Sequence, residues 1–133
     1  MSFVVDASIV AAWLLPDESN ELAEKARLAM SSEDALAPDL LLHEIRNILV
    51  MSERRNCVTA DGAASLLVRL RRVPLVIVEM KDDLGILQLA REHRLSGYDA
   101  TYLALAVAHD TALVTLDRKL DAAARVAGLK TFG

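Results

Sequence analysis

The sequence predicts a single α/β domain in which a parallel five-stranded sheet is flanked by helices. Short apolar runs such as Ser2–Val5 and Leu75–Val78 alternate with longer stretches of helical periodicity, which is typical of parallel strands joined by helical crossovers. At 133 residues and 53% apolar content, the chain has the size and composition of one domain with one core. No repeat or low-complexity linker divides it, so we expect one domain over residues 1–133.

The predicted elements follow one another closely along the chain. The strands are expected at 2–5, 35–37, 75–78, 112–115 and 129–132, and the second of these has the weakest signal. The helices are expected at 7–15, 20–30, 39–55, 59–72, 82–94, 98–109 and 118–127. Proline ends two of them, because Pro16 follows the first helix and Pro74 follows the fourth.

Composition excludes several classes of protein. The formal charge of −4 argues against a simple cationic nucleic-acid binder, and the single cysteine, Cys57, excludes an internal disulfide and fits a reducing cytosol. His43-Glu44 begins like a zinc-protease motif, but Asn47 occupies the position of the second histidine. The chain opens without a signal-peptide pattern and contains no apolar run long enough to span a bilayer, so we expect a cytoplasmic protein.

Two aspartates directly follow predicted strands. Asp6 comes after the first strand and Asp117 after the fourth. In open parallel sheets the functional crevice lies beyond the carboxyl ends of the strands, so this placement favours a functional role. Each residue also has a structural explanation, because aspartate is among the best N-cap residues and a helix is predicted after each.

Asp99 has a similar pair of explanations. Ser96 and Asp99 have the spacing of a capping box at the start of a helix. That helix is apolar nearly all round, which predicts burial, and Asp99 shares a face with Tyr102 and Ala106. An acid in this position also lies at the favourable end of the helix macrodipole, which helps to keep it ionised beside other acids.

Glu44 has no capping explanation. In the helix predicted over 39–55 it lies in the middle of an apolar stripe, between Leu40 and Ile48 in azimuth. Asn47 lies one turn further along, near the same azimuth. A buried glutamate is costly unless it is paired or coordinated, so the functional interpretation is favoured here.

The four acids together indicate a metal site. Two carboxylates about 4 Å apart repel by roughly 4 kcal/mol at an effective dielectric constant near 20, so four in one pocket would not all stay ionised without a cation. Hard divalent ions such as Mg²⁺ and Mn²⁺ prefer oxygen ligands and retain several waters. The candidate ligands are Asp6, Glu44, Asp99 and Asp117.

Four short motifs resemble, in their order along the chain, the signature of PIN-domain ribonucleases, and most closely that of the VapC toxins of toxin–antitoxin pairs. They are VVDAS at 4–8, LHEIRN at 42–47, YDA at 98–100 and TLD at 115–117. Each motif is weak alone, but the four in this order make a fairly specific signal. The resemblance covers essentially the whole chain.

The resemblance implies an acidic pocket at the carboxyl edge of a five-stranded parallel sheet. The four candidate acids would hold one or two Mg²⁺ ions, for which Mn²⁺ can substitute. Ser8 and Thr115 would be polar groups near the ion, and Asn47 would contact its ligands rather than the ion itself. Asp121, one turn beyond Asp117, is more simply explained as a solvated helix residue.

The resemblance also implies a substrate and partners. The protein would be a metal-dependent endoribonuclease that cuts RNA, in structured or single-stranded loops of tRNA or rRNA. It would form a homodimer and be neutralised by a VapB-type antitoxin, for which helices 20–30 and 39–55 have apolar residues to spare. Basic residues are candidates for positioning phosphates, although ordinary solubility explains most of them: Arg46, Arg54, Arg55, Arg118 and Lys119.

Two alternatives differ in class from a nuclease. The first is a catalytically silent binding module in which the acids serve as helix caps and ion-pair partners. The second is a phosphoryl-transfer domain of receiver or phosphatase type, which is disfavoured because Asp6-Ala7-Ser8 lacks the second acid of the phosphatase motif.

Overall fold

The computed structural model describes residues 1–15 and 20–132 and has three layers, with a parallel sheet between two layers of helices. The strands are β1 (Ser2–Val5), β2 (Asp34–Pro38), β3 (Leu75–Val78) and β4 (Ala112–Val114). The helices are α1 (Ala7–Leu14), α2 (Glu21–Ala29), α3 (Leu40–Arg54), α4 (Ala60–Arg72), α5 (Asp83–His93), α6 (Gly97–His109) and α7 (Arg118–Val126). The predicted α/β class is confirmed.

The order of the strands in the sheet reverses direction between β1 and β4. The order is β3-β2-β1-β4, and all three pairings are parallel. From β1 the chain builds outward through β2 and β3, then returns to the other side of β1 to add β4. Such a reversal is a topological switch point, and ligands bind beyond the carboxyl ends of the strands there. Val5 pairs with Val114, so the residues that follow β1 and β4 lie side by side.

Both faces of the sheet are buried, which explains why the strands are continuously apolar. Phe3 and Val5 belong to a core cluster with residues of α1, α2, α3 and α4, whereas Val4 belongs to a second cluster with residues of α6 and α7. This alternation is the period of two expected of a strand. The site at the carboxyl edge is therefore bordered by helices from both layers.

The predicted fifth strand at 129–132 is wrong, because the described residues form a four-stranded sheet. Gly128, with φ of +82°, turns the chain after α7. Leu129 then packs against one core cluster and Phe132 against the other, with the Phe132 and Phe3 ring centroids 5.0 Å apart. The two apolar side chains of this segment thus pack on the two core clusters, and its backbone does not join the sheet.

The other predicted elements agree with the structure to within two residues at either end. The weak strand predicted at 35–37 is longer than expected and forms β2. Pro16, which was expected to end the first helix, lies outside the described residues. Among residues 1–15 and 20–132, no helix combines the length and the apolar character needed to cross a bilayer.

Candidate functional site

Asp6 is buried at the carboxyl end of β1, with 6% of its surface exposed. Its Oδ1 accepts hydrogen bonds from Ser8 Oγ at 2.6 Å and from the Ile9 amide at 3.3 Å. Its Oδ2 accepts a hydrogen bond from Thr115 Oγ1 at 2.5 Å. Through the bond from the Ile9 amide, Asp6 is the N-cap of α1, as its position before a predicted helix suggested. A carboxylate has about four lone-pair sites, so three donors orient Asp6 and leave room for a further ligand.

The two hydroxyl groups are themselves held by the loop after β4. Ser8 Oγ accepts a hydrogen bond from the Leu116 amide at 2.9 Å, and Thr115 Oγ1 accepts one from the Asp117 amide at 3.0 Å. Each hydroxyl has one hydrogen to donate, and in both cases Asp6 receives it. Both hydroxyls therefore act on the carboxylate of Asp6.

Asp117 caps α7 and is exposed. Its Oδ1 accepts hydrogen bonds from the amides of Lys119, at 2.8 Å, and Leu120, at 3.2 Å. Its Oδ2 accepts none from the described part of the chain, so one oxygen is available to a ligand. Asp121 pairs with Arg125 along the same helix, at 3.0 Å between Oδ2 and Nε, which agrees with a surface role.

Glu44 is half-buried on α3 and is bound by a tyrosine of α6. Tyr102 Oη donates a hydrogen bond to Glu44 Oε1 at 2.5 Å. The two helices pack on opposite faces of the sheet, so this bond joins the two layers. The first turns of α3 lie at the carboxyl edge, because α3 begins two residues after β2 ends.

Asp99 lies in the first turn of α6 and is half-buried. Its amide donates a hydrogen bond to Ser96 Oγ at 3.1 Å, so Ser96 is the N-cap that the capping-box spacing predicted. Within the described residues, the hydrogen bonds include none to the Asp99 carboxylate. Its carboxylate is therefore open to a ligand.

Burial raises the pKa of three of the four acids, namely Asp6, Glu44 and Asp99. Hydrogen-bond donors oppose the rise at Asp6 and Glu44, and the Lys119 ammonium opposes it at Asp99. In each case a neighbouring carboxylate adds to the burial effect. The charge of Asp99 further raises the pKa of Asp6 and of Glu44, and that of Asp117 further raises the pKa of Asp99. The four acids therefore share one electrostatic region.

The chemistry of these residues fits a hard divalent ion. No ion pair among the described residues involves any of the four carboxylates. Within residues 1–15 and 20–132, no three acidic, histidine or cysteine side chains lie close enough together to hold one ion. Mg²⁺ is usually bound through one or two carboxylates, with water or phosphate completing its coordination. Carboxylates without a cationic partner among the described residues are oxygen ligands of the kind this ion prefers.

Two predicted contributors stand apart from this network. Asn47 is exposed on α3, and Arg46 is exposed with its Nη1 3.3 Å from His43 Nδ1. Sequence reasoning missed Tyr102 as a site residue, although it noted that Tyr102 shares a face with Asp99. The available signal was a tyrosine inside an otherwise apolar helix, because a buried phenol hydroxyl usually needs a hydrogen-bond partner.

The fold and the acids at its switch point define a parallel α/β domain with a carboxylate-lined edge. The model of the PIN domain matches residues 3–126, and the chain belongs to this family. It is 35% identical over 126 residues to Ribonuclease VapC3 from Pyrobaculum aerophilum, and the match covers 90% of this chain and 92% of that protein. The resemblance found in the four motifs is thereby confirmed.

Solved structures share the fold. The chain superposes on PAE2754 from Pyrobaculum aerophilum with a TM-score of 0.74 and 26% identity, over 92% of this chain and 79% of that one. It also matches VapBC2 from Rickettsia felis bound to a promoter DNA fragment, with a TM-score of 0.71 and 16% identity, over 99% and 98%. The match to VapC20 from Mycobacterium tuberculosis, a sarcin–ricin loop cleaving toxin, has a TM-score of 0.60 and 16% identity, over 98% of each chain. At 16% identity the likeness shows the fold alone.

Proposed function

We propose that this protein is a metal-dependent endoribonuclease and the toxin of a type II toxin–antitoxin pair. The observation that carries the proposal is the position of Asp6. Its oriented carboxylate lies at the switch point between β1 and β4, within the electrostatic reach of Asp99. The 35% identity to a protein named a ribonuclease supports RNA as the substrate.

In this proposal the ligands for Mg²⁺ or Mn²⁺ come from the four acids, with one or two carboxylates to an ion and water or phosphate completing its coordination. When bound, such an ion lowers the pKa of a coordinated water and neutralises charge on a scissile phosphodiester. Asp6 and Asp99 offer the more enclosed oxygens, and Asp117 Oδ2 offers an exposed one. Lys119 is exposed in the first turn of α7, next to the cap made by Asp117, and is a candidate for contacting a phosphate of the RNA.

RNA cleavage by the purified protein tests the proposal directly. Wild type should cleave RNA with Mg²⁺ and lose activity in EDTA. Asp6→Asn, which preserves shape and removes the charge, should be inactive while remaining folded. The matched control is Asp61→Asn, the same change at an exposed position in the first turn of α4, and it should retain full activity. Full cleavage by Asp6→Asn would contradict the metal-site assignment.

The alternative of a silent binding module draws on the helix caps made by Asp6 and Asp117. Helix caps require no ion. This alternative therefore predicts that Mg²⁺ does not raise the melting temperature of the protein and that the protein does not cleave RNA when Mg²⁺ is added. The nuclease proposal predicts a rise in melting temperature with Mg²⁺, because a ligand that binds only the folded state stabilises it.

A groove between α1, α2 and α4 is the proposed docking surface for the VapB-type antitoxin. Trp13 and Met30 line it together with Arg69 and Arg72. Its apolar floor and basic rim suit an amphipathic helix with acidic side chains. Arg69→Glu should weaken co-purification with the product of the neighbouring gene, whereas Arg71→Glu, exposed on the same helix outside the groove, should leave it intact.

A homodimer is proposed from the apolar surface on β3 and α5. β3 is an edge strand, and its Val76 and Ile77 are 43% and 41% exposed. Leu84 of α5 is 79% exposed. Unpaired strand edges and exposed apolar groups favour association. Light scattering should show that Leu84→Asp is monomeric and that Val126→Asp, an equally exposed change on α7, stays dimeric.

A further inference from the structure

The buried phenol of Tyr102 connects two of the proposed metal ligands. Tyr102 is 1% exposed, and its hydroxyl donates to Glu44 Oε1 at 2.5 Å. Hydrogen bonds to an ionised carboxylate are shorter and stronger than those between neutral groups. Asp99 lies three residues before Tyr102 on α6, so the two occupy one face of that helix. Helix α6 therefore carries one proposed ligand, Asp99, and through Tyr102 it also binds a second proposed ligand, Glu44 on α3.

We propose that Tyr102 is a positioning residue that fixes the Glu44 carboxylate for a divalent cation, holding Oε1 and leaving Oε2 to the ion. The inference rests on the proposed function. Residues that hydrogen-bond to a metal-ligating side chain, without touching the metal, set the orientation of that side chain. Losing one such residue typically costs about 10- to 100-fold in metal affinity or activity. The proposal assigns Tyr102 no contact with the substrate or the ion.

Packing alone does not account for the hydroxyl. The buried neighbours of Tyr102 along α6 are apolar, and they include Ala100, Leu103 and Leu105. A phenylalanine would fill the same space without a polar group to satisfy. Glu44 is only half-buried, so without the bond its long side chain has other rotamers that reach water. The hydroxyl selects one rotamer and thereby fixes Glu44 relative to Asp99.

The test measures binding of Mn²⁺ alone to Tyr102→Phe, following free Mn²⁺ by electron paramagnetic resonance. We expect about 10- to 100-fold weaker binding than in wild type. The matched control is Tyr98→Phe, the same change at the chain's other tyrosine, which is 64% exposed on the same helix. It should bind Mn²⁺ like wild type.

Cleavage assays separate positioning from a purely structural role. In Tyr102→Phe the half-saturating Mg²⁺ concentration should rise by the same factor, whereas the rate at saturating Mg²⁺ should stay near that of wild type. A structural defect would lower the saturated rate and leave the half-saturating concentration unchanged. That result, or wild-type Mn²⁺ affinity in Tyr102→Phe, would overturn the inference.

The double variant Glu44→Gln/Tyr102→Phe identifies the residue through which Tyr102 acts. If Tyr102 acts through Glu44, the double variant should bind Mn²⁺ as Glu44→Gln does, because coupled residues are not additive. A further loss would overturn the inference, and this comparison also serves if Tyr102→Phe alone does not fold. Failure of wild type to bind Mn²⁺ would instead refute the proposed function itself, and this inference with it.

Discussion

Thr115 Oγ1 donates a hydrogen bond to Asp6 Oδ2 at 2.5 Å and so joins two residues that are 109 positions apart in the chain. Thr115 follows β4 and Asp6 follows β1, so the bond closes the carboxyl edge of the sheet at its switch point. Both residues are buried, with 5% and 6% of their surfaces exposed. The bond is therefore shielded from water and orients Asp6.

Thr115→Val should destabilise the metal-free protein. Valine keeps the shape of threonine but removes the donor to Asp6, and we expect a loss of about 1–3 kcal/mol in the free energy of unfolding near neutral pH. Urea unfolding in EDTA measures it. Thr131→Val, at an exposed position, is the control and should change stability little. Equal stability of the two variants would mean that the Thr115 bond contributes nothing net.

The stability of the metal-free protein should fall as the pH rises above about 4, the ordinary pKa of aspartate and glutamate side chains. Burial raises the pKa of Asp6, Glu44 and Asp99 in the folded state, so the folded state retains protons that the unfolded state releases. The contribution of these groups to the free energy of unfolding is fully present below the pKa values that they have in the unfolded chain. It is lost as the pH rises through the pKa values that they have in the folded protein.

Asp6→Asn isolates the part of this pH dependence that belongs to Asp6. The variant has no carboxyl group at this position, so its stability should fall less steeply with pH than that of wild type. Urea titrations at several pH values in EDTA give both slopes. Identical slopes would contradict the raised pKa of Asp6.

Two substitutions at Asp117 separate its role as the cap of α7 from the role of its negative charge. Asp117→Ala should destabilise the protein by about 0.5–2 kcal/mol, because it removes the cap of α7, whereas Asp117→Asn should keep the cap. Both variants should lose RNA cleavage if the charge serves the metal. Thermal melting and cleavage assays together distinguish the roles, and an active Asp117→Asn would limit Asp117 to capping.

Mg²⁺ should raise the melting temperature of wild type and should do so much less for Asp99→Asn. An ion present at 100 times its Kd stabilises a folded state by about 2.7 kcal/mol, and weaker binding reduces this gain. Asp110→Asn is a matched control, because Asp110 lies at the other end of α6 and is exposed. An equal response in the two variants would exclude Asp99 as a ligand.

Local sequence accounts for most of the elements. The apolar run at β1, the periodicity of α3 and the serine before α6 each predicted an element that the structure contains. The segment at 129–132 was predicted wrongly because an apolar pattern does not distinguish a strand from a tail that packs on two core clusters. Only the positions of the neighbouring strands decide between these outcomes.

The sequence by itself determined which acids stand at element ends or within apolar faces, and so which ones need a partner. The tertiary structure decided what they touch, because hydrogen bonds between residues far apart in the chain depend on strand order and helix packing. It placed Thr115 on Asp6 through the pairing of β1 with β4, and Tyr102 on Glu44 through the approach of α6 to α3. Sequence spacing alone does not fix such hydrogen bonds, because each depends on the whole fold.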